Sequence, residues 1–299
     1  MVSFYQPNVA VICRWFQIGA GVTKSFNQED FEKRLAAPLR RFMRSIGSEV
    51  KQIIIVSNAD LRFGLGEATD EFGCTPTKRA LFVAFPNEMT NGFLRVVVDK
   101  EWGNNAGSAH ALNTGWRSAI ETNNVSHILS WNPELEMTSG ILARMFAHME
   151  RHGLDFVGAY RQGYWRLYQW ALAQNTACLY PIEVLQKMEG FSPENCDGND
   201  NRTIELPAVG QVALAGMDDF DLALRFSKKT QRMPRWGMVG RADPFLWDVN
   251  FAPNTERARL LQKKIIRQPM MMEHLVKLHY PEISYNELLD EFFAHRHED

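Results

Sequence analysis

The sequence predicts an α/β protein: a mostly parallel sheet flanked by helices, with a helical tail at the C-terminus. Three observations carry that expectation. Short apolar runs recur at Val9 to Trp15, Gln52 to Val56, Leu94 to Val98, His127 to Trp131 and Phe156 to Ala159. Such near-continuous runs suit strands buried on both faces. Segments with apolar residues at helical spacing separate them. Polar turns, Gly103-Asn104-Asn105-Ala106-Gly107 and Asn132-Pro133-Glu134, follow two of the runs. In open α/β sheets ligands bind at the carboxyl ends of strands, so Leu94 to Glu150 is where a ligand is expected.

Taken in order, Val9 to Trp15 is the first buried strand. Gly19-Ala20-Gly21 follows it, but Lys24 stands where a dinucleotide-binding fingerprint needs its third glycine, and that motif is set aside. Phe31, Leu35, Leu39, Phe42 and Ile46 then fall at helical spacing within Glu29 to Ile46, despite Pro38. Gln52 to Val56 is the second strand and ends in the polar turn Ser57-Asn58-Ala59-Asp60. Between residues 61 and 93, glycines and prolines interrupt any period, and one helix is expected, around Thr77 to Phe85. The central stretch reads as strand, loop, helix, strand, turn and helix.

Phe156 to Ala159 is a further strand, followed by the aromatics Tyr164, Trp165, Tyr168 and Trp170. Ala177 to Leu179 leads into a helix from Pro181 to Met188, with proline at a favoured first-turn position. Ser192 to Pro207 is polar and turn-rich. Within it, Asp197 to Arg202 lacks the sixth-position glycine of an EF-hand, and Ala208 stands where the bidentate glutamate belongs, so a calcium loop is rejected. Asp218, Asp219 and Asp221 open an amphipathic helix. From Lys228 the chain becomes more basic and aromatic, and helices at about Thr255 to Ile266 and Tyr285 to His295 close it.

With 299 residues, 45% hydrophobic and 23% charged, the chain can bury a sizeable core as one compact unit. A formal net charge of −2 argues against general nucleic-acid binding. No apolar run approaches the roughly 20 residues of a membrane span. The first residues lack a basic region and a small-residue cleavage site, and Cys13, Cys74, Cys178 and Cys196 show no CxxC pairing. A cytoplasmic protein with buried thiols is the expectation. In that setting Asn124-Val125-Ser126 and Asn201-Arg202-Thr203 are chance glycosylation patterns.

Four groups of polar residues could carry chemistry. Asn132 and Glu134 offer oxygen ligands to a hard divalent cation; the same residues also suit a helix start. Among Asp218, Asp219 and Asp221, crowding can raise one carboxyl into the range of a usable base, while the cluster equally suits a helix N-terminus. Asn105, Gly107, His110 and Asn113 could present amides and backbone N–H groups to phosphate. Tyr164 and Trp165, with Tyr168 and Trp170, could stack on a sugar ring or fill a core. Lys228, Lys229, Arg232, Arg235 and Arg241 read first as a solvated face, His274 and His279 make no zinc pair, and Met270 to Met272 read as packing.

The order of these elements resembles the family 2 glycosyltransferases of GT-A fold, from about Val9 to Arg225. Asn105-Ala106-Gly107 and Asn113-Thr114-Gly115 match the family's two Asn-x-Gly motifs, and Ile128 to Trp131 matches its hydrophobic strand. Asn132-Pro133-Glu134 occupies the Asp-x-Asp position, and Asp218-Asp219-Phe220-Asp221-Leu222-Ala223-Leu224-Arg225 matches the later acidic motif. The resemblance implies a GT-A-like domain over residues 1–227, with residues 228–299 as a helical extension packed on it. It places Arg14, Asn58 and Asp60 at the nucleoside, and Asn105, Gly107, His110, Asn113 and Trp131 around the nucleotide sugar. Glu134, with Asn132 beside it, would hold Mn²⁺ or Mg²⁺ on the diphosphate. Asp219 would be the base, Asp218 its neighbour or substitute, and Tyr164 and Trp165 would meet the acceptor. The implied partners are a nucleotide sugar and a glycan or other hydroxyl acceptor. Two departures stand out: one anionic metal ligand is lost at Asn132, and Leu112 replaces an arginine common before the second asparagine. A sugar-phosphate nucleotidyltransferase and a metal-site-deficient nucleotide-sugar-binding protein stay open as alternatives.

Overall fold

The computed structural model describes residues 8–15, 26–58, 68–99, 109–122, 124–133, 135–160, 177–192, 203–206, 210–213, 218–241 and 269–298. The first strand, β1 (Val9–Trp15), is followed by α1 (Gln28–Phe31), a π-helical turn (Glu32–Ala36) and α2 (Ala37–Ile46). Pro38 explains that break in regular geometry. It has no N–H to donate and its ring crowds the preceding turn, so the chain widens before it and α2 restarts with proline at its beginning. After β2 (Gln52–Asn58) come α3 (Pro76–Ala84) and α4 (Pro86–Thr90), each opened by a proline. The sequence reading expected α3 and left the segment of α4 as loop.

The expected central alternation is present: β3 (Leu94–Asp99), α5 (Ala109–Thr122), β4 (His127–Trp131) and α6 (Ile141–His152). β5 (Phe156–Ala159) and β6 (Ala177–Pro181) follow, and then α7 (Ile182–Met188). Pro181 ends the strand and sits at the N-cap of α7 rather than in its first turn, because its φ of −59° and ψ of 138° are extended. β7 (Thr203–Leu206) and β8 (Gly210–Ala213) form an antiparallel pair where turns alone were expected. α8 (Asp218–Thr230) begins at the acidic cluster, and β9 (Trp236–Val239) comes next. Residues 269–279 are helical (α9), and α10 (Tyr285–Ala294) leads to β10 (Arg296–Glu298). The expected helix around Thr255 to Ile266 lies outside the described residues, as do Cys196 and the Asp197 to Arg202 segment.

The main sheet has eight strands in the order β10-β9-β5-β6-β4-β1-β2-β3. All pairings are parallel except the two made by β6, which runs antiparallel between β4 and β5. Strand alternation divides the core in two. Ala10, Ile12, Ile54, Val56 and Ile128 face a cluster completed by α5, α7, α8, α9 and α10. Val9, Val11, Cys13, Ile53, Ile55 and Leu129 face the other, built from α1, α2, α3 and α6. Helices on both faces are the reason these strands read as continuous apolar runs.

The described part of the C-terminal tail carries α9 and α10, and it also returns to the sheet as β9 and β10. Trp236 of β9 stacks on Phe292 of α10, centroids 5.0 Å apart, and its indole N–H donates to the Phe292 carbonyl at 3.0 Å. A Ser284–Glu287 capping box starts α10. Met271 and Met272 are buried, in keeping with a packing role. Of the described cysteines, Cys13 and Cys178 are buried free thiols, and Cys74 is half-buried.

Gly115 sets how closely α5 approaches β1. A Cβ at this position would lie 2.5 Å from Cγ2 of the fully buried Ile12, with no room for the isoleucine to retreat. Gly115→Ala is therefore expected to destabilise the protein by about 1–3 kcal/mol, seen in urea unfolding as a lower midpoint at unchanged slope. An unchanged midpoint would show that α5 can lift from β1 at no cost.

Candidate functional site

Because β1, β2, β3 and β4 are parallel, their carboxyl ends share one sheet edge. In sheet order that edge presents Asp99, Asn58, Arg14 and Asn132. Asn58 is the ladder partner of Asp99. Trp131 is the partner of Cys13, so the residues that follow them, Asn132 and Arg14, end adjacent strands side by side. Asn58 and Asp99 are buried, and Arg14 and Asn132 are half-buried. The structure thus brings together three of the residues singled out in the sequence and adds Asp99, which lies one residue beyond the strand read from the sequence, Leu94 to Val98. Beside them, Ser57 is buried, and its hydroxyl has no hydrogen-bond partner among the described residues.

The turn after β4 is held from behind. The Leu135 N–H donates to the Asn132 carbonyl at 2.9 Å, and the Trp131 indole N–H donates to the Leu135 carbonyl at 2.9 Å. Trp131 itself is buried against Phe42, centroids 4.1 Å apart. Trp131, expected around the nucleotide sugar, has its ring in the core and its N–H on the turn. The alternative reading of Asn132 as a helix cap also falls, because α6 begins at Ile141 with Gly140 at its N-cap.

Helix α5 starts at the same edge, with His110 half-buried in its first turn. Each residue of Asn113-Thr114-Gly115 meets a different neighbour, as the 100° step between helical residues requires. The Thr114 hydroxyl donates to Asp99 Oδ2 at 2.9 Å, and Gly115 packs on Ile12. Asn113 is buried; its amide N–H donates to the Phe191 carbonyl at 2.7 Å, and its oxygen accepts from the Phe191 N–H at 2.9 Å and from the Trp116 indole at 3.1 Å. Asn113 was expected at the nucleotide. Its amide instead joins α5 to the end of α7.

Asp219 occupies the first turn of α8, half-buried, and its Oδ1 accepts the Phe220 N–H at 2.9 Å. Burial pushes the Cys178 thiol up, and the negative charge of Asp219 pushes it further. Cys178 is the ladder partner of Ser130 in β4. Asp218 begins the same turn. Asp60, Asn105, Gly107, Glu134, Tyr164 and Trp165 lie outside the described residues, as do Gly19, Gly21, Lys24, Tyr168 and Trp170. Among the described residues, no group of three or more His, Cys, Asp or Glu could hold a metal ion, and no helix is long and apolar enough to cross a membrane.

The rest of the acidic motif is internal. Asp221 is fully buried, its Oδ2 accepting from Arg225 Nε at 2.7 Å and its Oδ1 paired with His279 Nε2 at 2.8 Å. Arg225 also donates from Nη1 to the Met188 carbonyl and from Nη2 to the Gly190 carbonyl, both at 2.7 Å. Of the basic residues, Arg232 grips Asp155 with two bonds of 2.7 Å just before β5 and β9 begin, which is the sheet edge opposite the site. Lys228 lies nine residues beyond Asp219, about 14 Å along the helix axis.

No protein-family model matches the sequence, and no curated protein does. Among solved structures, the chain is similar to residues 1–349 of S. aureus TarS, with a TM-score of 0.50 at 11% identity over 96% of this chain and 71% of that one. It is also similar to glucosyl-3-phosphoglycerate synthase from Mycobacterium tuberculosis, crystallised with Mn²⁺, UDP-glucose and phosphoglyceric acid. There the TM-score is 0.47 at 10% identity, over 90% of this chain and 80% of that one. At such identities the likeness is one of fold, and the fold is GT-A-like.

The buried carboxylate makes stability depend on pH. Burial pushes the Asp221 carboxyl up, but the His279 hydrogen bond and the Arg225 charge outweigh this and hold it below the usual carboxylate range. Such a group stabilises the fold above its unfolded value, near pH 4, and that contribution is lost as pH falls through the lowered folded value. Asp221→Asn is expected to cost roughly 3–5 kcal/mol at pH 7. Its deficit against the native protein should narrow below about pH 4, as read by urea unfolding across that range. A constant deficit would show that Asp221 is not the titrating partner.

Proposed function

We propose that the chain is a glycosyltransferase that moves a sugar from a nucleoside diphosphate donor to a hydroxyl acceptor, with a glycan as the expected acceptor class. One observation supports the reading: a single sheet edge gathers Arg14, Asn58 and Asn132 at the carboxyl ends of parallel strands. The GT-A-like fold supports the reading without establishing activity, since folds host many chemistries.

In this reading Arg14, Asn58 and Asp60 hold the nucleoside, and Asn105, Gly107 and His110 present donors to the diphosphate at the start of α5, where the helix dipole favours negative charge. Asp219 accepts the acceptor hydroxyl's proton as its oxygen bonds to the anomeric carbon and the bond from that carbon to the diphosphate breaks. Asp218 neighbours it, and Tyr164 and Trp165 stack on the acceptor. The donor set at the turn, Glu134 carboxylate with Asn132 amide oxygen, fits a hard Mn²⁺ or Mg²⁺ ion already bound to a diphosphate. When bound, such an ion supplies neutralisation of the charge that grows on the leaving group. The neutral amide at Asn132 favours one second reading, a protein that binds the nucleotide sugar without metal.

Thermal shift against a panel of nucleoside diphosphate sugars, with and without Mn²⁺, separates the two, because a ligand of the folded state raises the melting temperature. Stabilisation by one donor that deepens with Mn²⁺ and weakens in Glu134→Ala is expected; stabilisation indifferent to metal supports the second reading. With that donor, Asp219→Asn should lower transfer by at least about 100-fold, in the range typical of a general base, while donor affinity stays within about twofold. Retained turnover would remove Asp219 as the base.

A further inference from the structure

We infer that His279 is a positioning residue for the transfer step: through the buried Asp221 carboxylate it fixes the first turn of α8, and with it the Asp219 carboxylate. The inference rests on the proposed function. His279 comes from the last turn of α9, 58 residues beyond Asp221 in sequence. Its Nε2 lies 2.8 Å from Asp221 Oδ1, inside a site where Asp221 is fully buried and the His279 side chain is 10% exposed. The other carboxylate oxygen takes Arg225 Nε at 2.7 Å. Arg225 is itself fixed by the carbonyls of Met188 and Gly190. Asp221 is thus gripped from two sides, by its own helix and α7 through Arg225, and by the C-terminal region through His279.

Asp219 stands two residues before Asp221, about 200° around the helix. When Asp221 points inward to α9, Asp219 points away from it. Between them Phe220 is buried edge-on against Phe292 of α10, centroids 5.8 Å apart, and its N–H donates to Asp219 Oδ1. The residues that follow Asp219 are therefore anchored on two helices of the C-terminal tail. A buried carboxylate oxygen that loses its donor turns toward another, and in the first turn of a helix that motion carries Asp219 with it. Displacement by about 1 Å is enough to cost on the order of 100-fold in rate. The strand ends that would hold the donor are made by β1 to β4 and do not include α9.

The test compares His279→Leu, which removes the hydrogen-bonding nitrogen, with His279→Gln, whose amide N–H can reach Asp221. Steady-state kinetics and donor binding are measured with the nucleotide sugar that stabilises the native protein. Leucine is expected to lower kcat by 10- to 100-fold with donor affinity within twofold, and glutamine to recover kcat to within about threefold of native. A leucine variant with native kcat overturns the inference, as does a parallel loss of donor affinity or a glutamine variant no better than leucine. Should leucine not fold, His279→Ala takes its place, with added imidazole expected to restore kcat; no recovery counts against the positioning role.

Amide hydrogen exchange separates this inference from the reading beneath it. If the native protein transfers no sugar from any donor, the proposed function fails. His279→Leu should still speed exchange at Leu222 to Phe226 and leave Ile53 to Val56 unchanged. Unchanged exchange in α8 overturns the role of His279 whatever the activity.

Discussion

The short segment at the end of α7, Met188 to Phe191, is the constraint on which one helical layer depends. Asn113 of α5 holds both backbone groups of Phe191, and Arg225 of α8 holds the carbonyls of Met188 and Gly190. Through Arg225 the segment reaches Asp221, and through Asp221 it reaches His279 of α9. Gly190 lets this happen. Its φ of +84° suits glycine, and a Cβ there would stand 2.2 Å from the Asn113 oxygen. Neutral amide bonds and a charged pair thus converge on a few backbone atoms of one turn. Replacing such a buried ion pair by apolar residues can be neutral in energy; what the polar network adds is direction. It fixes the angle of α8, and so where the acidic first turn of that helix lies.

The same geometry shows why the fold was legible in the sequence and the site only partly so. β1 and β2 announce themselves because both faces are buried, leaving almost no polar interruption. β10 does not: Arg296-His297-Glu298 is polar, half-buried and placed at the sheet's edge by its pairing with β9. Nothing local marks it as a strand, and Phe292 packed on Trp236 brings it there. Asn113 shows the same limit at a single residue. An amide near a glycine suits a phosphate contact, and sequence spacing cannot say that its partner will be a backbone 78 residues away. His279 carries no signal beyond being a histidine, since its meaning lies in Asp221. The acidic motif was read as one functional unit and has two parts, a half-buried Asp219 in the first turn of α8 and an inward Asp221 held by Arg225.

Trp131 separates the shape of the neighbouring turn from its chemistry. The indole holds the Leu135 carbonyl, the Asn132 carbonyl holds the Leu135 N–H, and neither contact uses the side chain of residue 132. Those two backbone contacts do not depend on whether residue 132 carries an amide or a carboxylate. If the turn binds a cation as proposed, substitutions of its oxygen donors would change cation affinity, whereas changes to Trp131 would also lower stability. Retention of the fold is weak evidence for retention of the metal, and chemistry at the turn has to be read from its own oxygen donors.

The opposite dependence governs Asp219. Its surroundings are supplied by residues far away in sequence, Phe292 behind Phe220 and His279 behind Asp221. A general base works only when its oxygen is held within hydrogen-bond reach of the proton it takes, and in the role proposed for Asp219 that placement would rest on the tail. The tail is then more than an appendage to a nucleotide-binding sheet. It adds β9 and β10 to the sheet, and α9 and α10 to the layer that aims the acidic turn. Under the proposed function, donor binding would rest on the ends of β1 to β4, and transfer also on the last thirty or so residues, which pack behind the acidic turn.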